Sequence, residues 1–152
     1  MKKRITFILL MLLSFDTFTF AQNVTTDYVV VGLVSGDANM KQIQLRYNST
    51  SGVYFTAESS GSGVEQITEA ISGRQIIDLH IFVKNDQQGI FLTNTPVTSA
   101  NVNGFSNYFK GWKKSVSGRV VIQNQTGVTS AELTDLLGKL QDLTGLQFIL
   151  NQ

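Results

Sequence analysis

Few side chains in this chain could do covalent chemistry. It has one histidine, His80, and no cysteine, so no thiolate can act as nucleophile or metal ligand and no multi-histidine metal centre can form. A general base belongs at a strand end or in a loop, within reach of the proton it takes. His80 instead lies inside Leu79-His-Ile-Phe-Val83, where a structural histidine is expected, under a helix or at the sheet surface. No Gly-x-Ser-x-Gly elbow accompanies it, so a serine triad has no support. The carboxylates that end successive strands, Glu58 and Asp86, are the candidates for an acid/base pair in a hydrolase. The loop Ser59 to Gly63 offers backbone donors to an anion or nucleotide ahead of a helix. It has Gln66 where the dinucleotide fingerprint needs its third glycine, and no Gly-Lys-Ser/Thr follows any loop, so a helix cap and turn is the expected reading. No cofactor is implied.

Those residues sit on an alternating pattern. Tyr28 to Val34 is a β-branched run of strand length, apolar on both faces, as suits a strand covered by helices on both sides. Asp37 predicts a helix cap, with Met40, Ile43 and Tyr47 facing inward and Asn48 to Gly52 ending the helix. Val53 to Thr56 reads as a second strand. Ser62-x-x-Glu65 has the form of a capping box, Val64, Ile67 and Ile71 follow at helical spacing, and Gly73 is the stop. Ile76 to Val83 is a third strand, and the segments Gly89–Leu92 and Asn94–Val97 suit a short hairpin. Val102, Phe105, Phe109, Trp112 and Val116 form one stripe of a helix capped by Thr98 or Ser99, and read as core rather than an aromatic cage. Arg119 to Ile122 is a strand. Thr129-x-x-Glu132 is a second capping box, opening a helix with Leu133, Leu136, Leu137, Leu140 and Leu143 on one face, ended by Gly145 before a final strand, Leu146 to Leu150. Strand and helix alternating at these intervals predict a three-layer α/β/α domain with a mainly parallel sheet.

The start of the chain is set apart. Met1-Lys-Lys-Arg4, an apolar run from Ile5 to Phe15 and the small-x-small ending Thr19-Phe-Ala21 make a secretory signal peptide, 1–21, with cleavage after Ala21. The run is too short to span a bilayer as a helix. Residues 22–27 are polar and expected to be disordered, leaving 28–152 as one domain. Removing Lys2, Lys3, Arg4 and Asp16 from twelve basic and eleven acidic residues leaves nine and ten, a formal charge of −1. A nucleic-acid partner would call for a basic excess, so none is expected. Secretion or a periplasmic location is the implied destination, and an exported protein or peptide the implied partner. Asn23, Asn48 and Asn124 each open a glycosylation sequon.

Three stretches carry a resemblance: Gly63-Val-Glu-Gln-Ile-Thr-Glu-Ala-Ile-Ser-Gly-Arg74, Asp78-Leu-His-Ile81 and Leu143-Thr-Gly145. Together they resemble a bacterial caspase-like domain of unknown function, often found at the N-terminal end of large secreted proteins with adhesin- or cadherin-type repeats. The resemblance runs from about Tyr28 to the end of the chain and implies a caspase/gingipain-type sheet with helices on both faces. It also implies where catalysis would sit. Family members follow the Leu-His-Ile strand with Ser-His-Gly and end the next strand in Gly-Cys-Asn. Here Val83-Lys84-Asn85 and Asn124-Gln125-Thr126 stand at those places. An ammonium gives up its proton about four pH units above an imidazole, and a carboxamide is no nucleophile. The resemblance therefore implies a pseudoenzyme, not an enzyme, with Lys84, Asn85, Asn124 and Gln125 around a degenerate cleft that binds a peptide or other polar ligand.

Overall fold

The computed structural model describes residues 24–47, 54–125 and 127–151. The segment expected to be a signal peptide, the sequons at Asn23 and Asn48, the turn expected at Asn48 to Gly52, and Val53 lie outside the described residues. So does the side chain of Tyr47.

Seven strands form one sheet. β1 (Val24–Gly32) is flanked by β2 (Tyr54–Ala57) and β3 (Gln75–Asn85), and β3 is followed outward by β6 (Arg119–Asn124) and β7 (Gln147–Asn151), all five parallel. The short hairpin β4 (Gly89–Phe91) and β5 (Pro96–Thr98) joins the end of β3 antiparallel, as its Pro96 and flanking turn residues predict. The helices are α1 (Ala38–Tyr47), α2 (Gly63–Ile71), α3 (Ser106–Trp112) and α4 (Ala131–Thr144). The fold is the expected α/β arrangement with helices on both faces of a mostly parallel sheet.

The faces follow from handedness. Right-handed crossovers running one way from β1 to β2, then back from β2 to β3, put α1 and α2 on opposite faces. The steps β3 to β6 and β6 to β7 continue in the second direction, so α3 and α4 join α2. Their side holds the main core, where Ile67, Trp112, Leu136 and Leu140 pack on Val30, Leu79, Ile81, Val120 and Ile122. The α1 side holds a smaller cluster of Val31, Met40 and Ile43 with the half-buried Val29, Leu33, Tyr54 and Phe82.

Caps set the helix ends. The Asp37 carboxylate accepts from the N–H groups of Asn39 and Met40, both at 3.1 Å. Ser62 accepts from the Glu65 N–H at 3.3 Å, while the Glu65 carboxylate accepts from the Tyr108 hydroxyl at 2.8 Å, which ties α2 to α3. Gly73 and Gly145 take positive φ, 72° and 66°, just past their helices.

Four expectations are corrected. β1 begins at Val24, because Val24 and Thr25 pair with Gln75 and Ile76, so the segment expected to be disordered is largely strand. The stripe from Val102 to Val116 is not one helix: Val102–Phe105 is a 3-10 turn, α3 follows it, and Val116 has left the helix to bridge Ile76. Thr98 caps neither piece; it exchanges hydrogen bonds with Asn101, while the Ser99 hydroxyl donates to the Glu132 carbonyl on α4. The cap of α4 is Ser130, one residue later than Thr129, and it accepts from the Leu133 N–H at 3.1 Å.

Candidate functional site

In open α/β sheets ligands sit beyond the C-terminal ends of the strands, where the strand order reverses. That reversal lies between β1 and β3. Lys84 and Gln125 stand beside each other at the ends of neighbouring strands, since Val83 pairs with Asn124. Both are open to solvent on the α1 side. The Lys84 ammonium lies 3.7 Å from the Asp37 carboxylate that caps α1. Gln125 borders a shallow hollow of about 180 Å³ with Asn39, Gln42, Ile43 and Arg46 of α1.

Asn85 and Asn124 point the other way. They are only 2% and 7% exposed, and the amide of each donates to the Val128 carbonyl at 2.9 Å. Asn124 also accepts from the Gly127 N–H at 3.0 Å. These two side chains hold the loop between β6 and α4 in place instead of lining an open cleft with Lys84 and Gln125. Ser130 continues the same seam, its hydroxyl donating to the Gln87 carbonyl at 2.5 Å. The buried Asn124 carries a sequon whose amide nitrogen is already engaged inside the fold.

The ends of β1 and β2 are covered as well. The segment Leu92 to Asn94, between β4 and β5, lies across them. Thr93 is fully buried and donates its hydroxyl to the Gly61 carbonyl at 3.0 Å. The Asn94 side chain accepts from the Ser35 N–H at 2.8 Å and donates to the Ser35 hydroxyl at 3.0 Å. Glycine is required twice beneath this segment. A Cβ at Gly32 would overlap the Leu92 carbonyl, and one at Gly63 would lie 2.6 Å from the Leu92 Cβ. The Ser59–Gly63 loop is therefore packed against Leu92 and Thr93. A concavity of about 280 Å³ remains beside Ser62, Gly63, Val64 and Phe105.

The carboxylate pair does not converge. Strand β1 lies between the ends that carry Glu58 and Asp86, a separation of two strand spacings, about 10 Å between backbones. The Asp86 carboxylate accepts from the N–H groups of Gln88 and Gly89 at 2.8 and 3.0 Å, closing the turn into β4.

One polar constellation gave little sign of itself in the sequence. On the α1 side, beyond the reach of that helix, His80 takes Asp27 on one ring nitrogen (Nε2 to Oδ1, 3.2 Å) and Gln123 on the other (Nδ1 to Nε2, 3.1 Å). The Gln123 Oε1 accepts from the Asn151 amide at 2.9 Å. Beside this chain Arg119 holds Asp78 through its backbone N–H and its guanidinium, with Nη2 to Oδ2 at 2.5 Å. That pairing, hydrogen bonding above all, holds the Asp78 carboxyl below the usual carboxylate range and lifts the guanidinium further. Oxygen and nitrogen atoms of Asp27, Asp78 and His80 lie within 4.8 Å of one another. The cation beside them is Arg119, which hydrogen-bonds to both Asp78 oxygens. The period-two spacing of Asp78 and His80 on β3 is the available signal; the apolar run that marks β1 in the sequence starts at Tyr28 and leaves Asp27 outside it.

Residues 37–150 match the family described as Domain of unknown function (DUF4347). The chain belongs to that family. No curated protein and no solved structure matches it. The DUF4347 match begins at the Asp37 cap, so β1, the second strand of the sheet, precedes the matched span. Among the described residues no helix is long and apolar enough to cross a membrane.

Proposed function

We propose that this chain is an exported, non-catalytic domain of caspase-like architecture that acts as a binding or structural module for an exported protein or peptide. The observation that carries the reading is the state of the strand ends. Leu92 to Asn94 covers the ends of β1 and β2, and Asn85 and Asn124 anchor the Val128 loop over β3 and β6. At the two positions where the resemblance puts catalysis stand Lys84, paired with Asp37, and Gln125, an amide. Neither supplies a nucleophile or a base matched to neutral pH. The exposed rim of Lys84, Gln125, Asn39, Gln42 and Arg46 suits hydrogen bonding to a polar segment rather than bond cleavage. Incubation of the purified protein with a diverse peptide library, read by mass spectrometry, tests it. No cleavage above buffer is expected; turnover that disappears in Lys84→Ala would overturn the reading.

A further inference from the structure

We propose that His80, Gln123 and Asn151 form a protonation-driven amide relay that carries a change of charge on the sheet face to the β7 edge. The hydrogen-bond chain dictates the states. Gln123 Oε1 accepts from Asn151, so its Nε2 is the group that faces His80 and donates to Nδ1. Nδ1 then carries no proton, and the neutral ring holds its proton on Nε2, donated to Asp27.

Protonation puts a second N–H on the ring, at Nδ1, pointing at a donor. The pair is relieved when the Gln123 amide turns over and offers Oε1. Its Nε2 then faces Asn151, which must turn over in the same way and offer Oδ1. One proton therefore reverses two amides on two strands.

The outcome is read at the surface. Asn151 is exposed at the end of β7. With the ring neutral its free group is a carbonyl acceptor; with the ring charged it is an NH₂ donor. Among the described residues the charged groups facing the ring are Asp27 from β1, Asp78 from its own strand and Arg119 from β6. β7, Gln147–Asn151, contributes no titratable side chain, so Asn151 has no proton-linked change of its own. The chain is accessible to solvent protons, with the His80 side chain 25% and the Asp27 side chain 61% exposed.

The test is a side-chain nitrogen NMR titration of the ¹⁵N-labelled protein between about pH 8 and pH 5, the range in which imidazoles change charge. The neutral ring is expected as the Nε2–H tautomer, and the Gln123 and Asn151 amide signals are expected to shift with the same midpoint as His80. In Gln123→Met the Asn151 signal should no longer follow the ring. A neutral Nδ1–H tautomer, an Asn151 signal that ignores the ring, or one that still follows it in Gln123→Met would each overturn the relay. The wild-type titration decides even where the variant fails to fold.

Discussion

On one side of the central strands, three helices seal Leu79, Ile81, Val120 and Ile122 away from water. On the other, α1 is the one helix among the described residues that covers Val31 and its neighbours, and the strands continue past it with Asp27, His80, Gln123 and Asn151. The same strands build both faces, because successive side chains alternate. Where three layers close, the chain uses branched aliphatics and obtains its stability from burial. Where cover runs out, it places polar groups that satisfy one another across four strands, since an unpaired polar group under partial cover is costly. A sheet can thus be a sealed core and a hydrogen-bonded surface at once.

Substitutions on either face separate the two. Trp112→Ala, which removes the largest fully buried side chain and its indole bond to Thr68, should cost about 3–5 kcal/mol in denaturant unfolding. Met40→Ala, in the smaller cluster, should cost about 2–3 kcal/mol; a loss equal to that of Trp112→Ala would mean that α1 covers more than its cluster suggests. Ser130→Ala, which removes the α4 cap on the sealed face, should cost about 1 kcal/mol, with Ser130→Asp recovering most of it. Asp78→Asn, on the open face, should have the smallest effect, and that effect should depend on pH. Arg119 favours the ionised carboxylate in the folded protein, so the wild type's advantage is full above the ordinary Asp value of 3.8 and fades as pH falls through the lowered folded value. An advantage that persisted to lower pH would show that the pair matters for packing rather than charge.

The sealed face was the legible one. Apolar period and helix stops placed Val64, Ile67, Ile71, Leu133, Leu136 and Leu140 in the core, where they lie buried. What failed to read had local competition. Thr129 and Ser130 are both good caps, and only the geometry that follows selects Ser130. Val102 to Val116 keeps a helical period, but Asn101 and Thr98 bond each other's backbone and the chain enters through a tighter turn. Asp27 reads as a polar tail because its pairing with β3 is not encoded by hydrophobicity on a face that α1 does not reach. The candidate site divides the same way. The positions of Lys84 and Gln125 at adjacent strand ends followed from strand order, whereas the inward turn of Asn85 and Asn124 depended on a carbonyl forty-three residues from the first of them.

Leu92 to Asn94 behaves as a built-in occupant, seated on Gly32 and Gly63 as a guest sits in a receptor. Tethering through β4 and β5 holds it against those two glycines at a very high local concentration. Methyl groups added at the two glycines would run into Leu92 and Thr93 of the tethered segment. The tether is itself part of the core, since Ile90, Leu92 and Val97 are buried, so the segment stays seated for as long as the sheet holds.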